Sequence, residues 1–141
     1  MINIRIERDP SLSGLDDNKS EAILTHTLQS EGITYCAISI VFGNNKLLQE
    51  LKNKFFTIND TTDVIAFRLN DYEEQNIEGE IYICLPVAKE NAEYFNEPYE
   101  KEVARLIIHG GLHLIGYEDG TDEELKNMQK MEDKHLKELN Y

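Results

Sequence analysis

His109 and His113 stand four residues apart in a run whose other members are mostly apolar: Val103, Ala104, Leu106, Ile107, Ile108, Leu112 and Leu114. On a helix, that spacing stacks both imidazoles on one face. Two imidazoles so placed can grip one tetrahedral metal ion and leave positions for a third ligand and a water. Gly116 follows and lets the chain double back. That turn can return Asp119, or Glu118, towards the histidines, giving the string His-x-x-x-His-x-x-Gly-x-x-Asp. The competing use of such a pair is a buried couple tied to backbone carbonyls. A glycine turn with a carboxylate behind it favours the metal. A zinc protease of the HExxH kind needs a glutamate after its first histidine as general base. Here that position is Gly110, which argues against a peptidase or amidase of that mechanism.

The other titratable candidates are plainer. His26 and His135 each fall on an expected amphipathic helix without ligand-type neighbours at useful spacing, and are expected at the surface or its boundary. Cys36 and Cys84 lie in separate apolar runs and read as buried thiols of a reducing compartment. There is no CxxC motif, which argues against a cysteine zinc site or a thioredoxin-type redox centre.

The elements that must hold the histidines follow from periodicity. Residues 2–7 alternate apolar and polar, as a half-buried strand does. Residues 20–31 follow as a helix with Ile23, Leu24, Thr27 and Leu28 on one face, stopped by Gly32. Residues 35–42 form a second strand. Residues 46–56 form a helix with Leu47, Leu48, Leu51 and Phe55 in a stripe. Two strands are expected at 63–69 and 80–85, around an acidic loop at 70–79. Pro86 opens a short helix to Phe95. From Pro98 the pattern becomes apolar all round, the mark of a buried central helix, ended by Gly116. Thr121 and Glu124 form a capping box for a last helix that turns Leu125, Met128, Leu136 and Leu139 inward. The expected fold is α+β: a small mixed β-sheet of about four strands packed with about five helices, the metal site on the central one.

The chain has 141 residues with 40% hydrophobic content, enough for one domain, residues 1–141, with a core of its own. A net charge of −13 argues against a general nucleic-acid coat, which needs a broad basic surface. Any nucleic-acid contact must use a local patch. The first nine residues lack the basic start and apolar run of a signal peptide. No segment is apolar for the length of a membrane span. A cytoplasmic protein is expected.

The string His109-Gly110-Gly111-Leu112-His113-Leu114-Ile115-Gly116-Tyr117 resembles the HGxLHLxGY motif of the YbeY family of metal-dependent endoribonucleases, also described as rRNA maturation factors. Thr62-Asp63-Val64-Ile65-Ala66-Phe67 is similar to that family's TDVLSF strand, and Gly79-Glu80-Ile81-Tyr82-Ile83-Cys84 to its GDIxIS strand. Order and spacing agree over residues 35–141.

The resemblance implies a single-strand-specific endoribonuclease with one Zn²⁺ or another divalent metal. It implies rRNA precursors as substrate, and a role at the small ribosomal subunit in maturation and quality control. Two positions depart from the pattern. Asp119 stands where the third ligand is normally histidine, and its charge would make a bound water less acidic and favour a harder metal. Phe56 stands where the family usually carries an arginine that acts on the phosphate. Arg105, one turn before His109, and Arg68, just past the third strand, could replace it; surface ion pairs are their competing use. No dedicated general base is visible apart from Glu118, whose competing use is an exposed surface carboxylate. The missing arginine and the negative charge support an alternative, a non-catalytic metal-containing ribosome-assembly factor. A different metal-dependent hydrolase is a further one.

Overall fold

The computed structural model of the chain describes residues 1–55 and 63–141. Phe56 and Thr62, used in the family comparison, lie outside the described residues. The elements run β1 (Ile2–Arg8), α1 (Asp17–Ser30), β2 (Cys36–Gly43), α2 (Asn45–Phe55), β3 (Val64–Arg68), β4 (Ile77–Cys84), α3 (Leu85–Tyr94), α4 (Tyr99–Ile115) and α5 (Asp122–Glu138). The sheet order is β1-β2-β4-β3. β1 pairs parallel with β2, and β2 parallel with β4. β3 returns antiparallel along the far side of β4. The expected α+β class with a four-stranded mixed sheet and five helices is what forms.

Burial explains why these residues build this sheet. Along β2, Cys36, Ile38, Ile40 and Phe42 are buried while Ala37, Ser39 and Val41 are not, and β4 repeats the pattern with Ile77, Gly79, Ile81 and Ile83. Successive strand side chains point to opposite faces, so one face of each strand enters the core. β4 begins three residues earlier than its apolar run suggests. Its pairing with β2 starts at Ile77 opposite Cys36, so Glu78 joins Glu80 on the less buried face of a strand instead of lying in the acidic loop. Leu85 belongs to α3, not to the strand, because Pro86 is accommodated in the first helical turn.

α4 is the central helix: it packs on β3 and β4 and against α1, α3 and α5. Ten of its residues are buried, from Glu102 to Leu114. Gly110 and Gly111 make that close fit possible. A Cβ on Gly110 would lie 2.6 Å from Ile81 Cγ2 of β4, and one on Gly111 2.8 Å from Leu24 Cδ1 of α1. A glutamate at position 110 could not be housed against β4, so the HExxH arrangement is excluded sterically as well as by sequence.

Two expectations about side-chain direction are corrected. Leu125 does not turn inward; it is 40% exposed, because the buried stripe of α5 runs through Met128, Glu132, His135 and Leu136. His135 is not a surface or boundary residue: it is wholly buried in that stripe, seven residues after Met128 and one before Leu136. His26 is half-buried, as expected of a boundary position.

Candidate metal centre

α4 delivers His109 and His113 from successive turns, and both rings stay partly exposed at the helix surface. Gly116 then ends the helix with φ +124°, a conformation L side chains rarely adopt. The Tyr117 N–H donates to the Leu112 carbonyl at 3.0 Å and closes the helix end. The reversal brings Asp119 back over the histidines, and the capping box at Thr121 and Glu124 fixes where α5 starts.

Three ligand atoms converge. His109 Nε2 and His113 Nε2 are 3.0 Å apart. Asp119 Oδ2 lies 3.4 Å from the first and 3.3 Å from the second. Donors about 2.1 Å from a tetrahedral ion stand about 3.4 Å from one another, so the triangle has the size an ion of that class requires. Glu118 is exposed and does not join the group of mutually close donors; Asp119 does.

Behind the triangle stands a residue that sequence reasoning missed. Glu132 Oε2 is 2.6 Å from His109 Nδ1, with its side chain only 6% exposed. The carboxylate accepts a hydrogen bond from Nδ1–H, so His109 Nε2 presents its lone pair to Asp119 and His113. Burial alone would lower the pKa of His109, but the hydrogen bond and charge of Glu132, aided by Asp119 and Asp63, raise it above the ordinary value. The signal was present in the sequence: Glu132 lies four residues after Met128 and four before Leu136, a carboxylate in the middle of an inward stripe.

The two substitute arginines part company. Arg68 is committed to structure. Its guanidinium donates to the carbonyls of Leu114, Asp71, Glu74 and Asn76 and to Asn70 Oδ1, tying the loop after β3 to the end of α4. Arg105 faces the site, held by Asp133 at 3.0 Å and Glu132 at 3.4 Å.

Two clefts meet at His109. One, of 510 Å³, is lined by Asp63, Glu102, Arg105, Glu132 and Asp133 among others. The other, of 380 Å³, is lined by Lys52, Asp63, Tyr72, His113 and Asp119 among others. Glu102 lies on the α4 face that carries Arg105 and His109. Burial pushes its pKa up to about 7, with Asp63 and Glu132 adding to the rise against Arg105. A carboxyl that holds its proton near neutral pH beside such a centre can exchange it with a reacting group. Sequence reasoning did not single it out, since a glutamate in the first turn of a helix is ordinary.

Known proteins resemble the chain over most of its length. The family profile described as "Endoribonuclease YbeY" matches residues 7–140. A Chlorobium phaeobacteroides (strain BS1) protein named endoribonuclease YbeY is 35% identical over 125 residues, covering 89% of each chain. One of the same name from Caldanaerobacter subterraneus subsp. tengcongensis is 34% identical over 140 residues, covering 90% of this chain and 89% of its own. The solution structure of a Thermotoga maritima protein superposes with a TM-score of 0.62 at 28% identity, covering 97% of this chain and 91% of that one.

Proposed function

The chain belongs to the endoribonuclease YbeY family, and from that premise we propose that it cleaves single-stranded RNA at one divalent ion held by His109, His113 and Asp119. The observation that carries this reading is the triangle of ligand atoms, 3.0 to 3.4 Å on a side, with Glu132 fixing the first histidine. Zn²⁺ suits two imidazoles and a carboxylate. Bound there, such an ion supplies Lewis acidity towards a phosphodiester oxygen and lowers the pKa of a water.

The chain's own residues do the rest. His109 and His113 orient the donor set from one rigid helix face, and Glu132 keeps His109 in the tautomer that can ligate. Lys52 in one cleft and Arg105 in the other place positive charge on either side of His109, where a backbone passing from cleft to cleft would run. Arg105 takes the part of the arginine absent at position 56, offsetting charge that develops on the phosphoryl oxygens. Glu102 carries a proton for the leaving oxygen. The carboxylates around the site repel a polyanion unless an ion is present, which makes RNA binding itself depend on the metal.

The substrate is precursor ribosomal RNA, and the place of action is the small ribosomal subunit in the cytoplasm, in maturation and quality control. Residues 1–141 act as one catalytic unit. No helix among the described residues is long and apolar enough to cross a membrane, which is consistent with that location.

Cleavage of a labelled single-stranded RNA oligonucleotide tests the reading, beside duplex RNA and single-stranded DNA of the same sequence. The expected result is cleavage of the first alone, lost with chelator, restored by Zn²⁺ and absent in His113→Ala. Cleavage that survives both chelator and His113→Ala would reject the metal centre. A metal-loaded chain that binds RNA without cutting it would favour the assembly-factor alternative.

A further inference from the structure

His135 is wholly buried, and neither of its ring nitrogens has a hydrogen-bond partner. A neutral imidazole carries one N–H donor and one acceptor lone pair. Leaving both unmet in the interior is costly, and buried polar groups without partners are rare in folded chains. Carboxylates face each nitrogen from just beyond hydrogen-bonding reach. Glu138 Oε1 is 3.5 Å from Nδ1, and Glu31 Oε1 is 3.7 Å from Nε2. His26 of α1 stands edge-on to the same ring, with centroids 5.5 Å apart at 83°, and its Nε2 lies 3.1 Å from Glu138 Oε1. One ligand atom from each of His26, His135 and Glu138 lies within 4.8 Å of the others.

We propose that His26, His135 and Glu138 form a second site for a borderline divalent transition ion such as Zn²⁺, sharing no residue with the centre on α4, which braces α5 against α1. Two imidazoles and a carboxylate are the donor set that such an ion selects. An ion at His135 Nδ1 uses the lone pair and turns the Nε2 proton towards Glu31, which Tyr117 already holds by hydrogen bonds of 3.0 and 3.1 Å. This is the arrangement of His109 with Glu132, with the ring turned end for end. Glu138 is 42% exposed on the last turn of α5 and can swing onto the ion. The brace matters because α5 also carries Glu132, whose distance from His109 depends on where that helix lies.

Zinc uptake by the chelator-stripped chain, measured against a chromophoric competitor, tests the site. His26→Gln, Glu138→Gln and the double variant remove partly exposed side chains and leave the buried His135 in place, with circular dichroism as the check of fold. The double variant is expected to bind about one equivalent less than the wild type. His113→Ala with Asp119→Ala is expected to keep that equivalent, so the outcome does not depend on the first centre. Cobalt in place of zinc, in the chain that carries His113→Ala and Asp119→Ala, should give the visible absorption of a tetrahedral site, lost when His26→Gln and Glu138→Gln are added. Equal uptake by the wild type and by the folded single and double variants at 26 and 138 would overturn the proposal.

Discussion

Replacing Glu132 with alanine removes a buried carboxylate 2.6 Å from His109 Nδ1, and the consequence for the metal can be worked out. The side chain is 6% exposed, so solvent does little to weaken the bond. A hydrogen bond to a charged group contributes about 1.5–3 kcal/mol, and each 1.4 kcal/mol is about tenfold in a dissociation constant. Without Glu132, His109 must find its tautomer and orientation unaided, and zinc affinity should fall about 10- to 100-fold. Arg105 keeps its 3.0 Å contact with Asp133, so the neighbouring charge is not stranded. Glu132→Gln keeps an acceptor for the Nδ1 proton but loses the charge, and should fall nearer tenfold, at the lower end of that range. Titration of the stripped chain with zinc against a competing chelator, near neutral pH, reads both values. A folded Glu132→Ala chain that binds zinc within about twofold of the wild type would refute the account of how His109 is oriented.

Three further outcomes are expected. Asp119→Ala should lower metal content more than Glu132→Ala does, since it removes a donor and not its support, with metal mass spectrometry on the purified chain as the check. Glu102 has its folded pKa raised from 4.5 to about 7, so the unfolded chain ionises first; the wild type should lose stability as pH rises through that window, by up to about 3 kcal/mol, and Glu102→Gln should not, as denaturant titrations at several pH values would show. Gly110→Ala should destabilise the fold by a net of about 1–2 kcal/mol despite the higher helix propensity of alanine, because its Cβ meets the stiff Ile81 side chain; thermal unfolding against wild type measures it.

The parts of this fold that could be read in advance are those set by local rules. The ligand string, the Gly116 turn, the capping box and the all-apolar α4 each state their structure within a dozen residues. What escaped depended on partners distant in sequence. β4 begins at Ile77 because β2 pairs with it there, and no periodicity in the acidic loop announces that. His135 looked like a boundary residue because its helix is mostly polar, yet the stripe through Met128 and Leu136 carries it inside. Glu132 was hidden by the same helix. Arg68 and Arg105 looked equivalent as sequence; only the carbonyls gathered around one and the carboxylates around the other separate them.

The spacing of the donors has a thermodynamic consequence of its own. His109 and His113 are four residues apart and Asp119 six further on. Closing loops that short needs little chain entropy, so the denatured chain can also capture an ion with these side chains. Binding to both states cancels in the unfolding equilibrium. Zinc at α4 should therefore raise the melting temperature by less than its affinity suggests. Donors separated as widely as His26 and Glu138, 112 residues apart, come together only in the native chain, and an ion held there would register almost its whole affinity as resistance to unfolding.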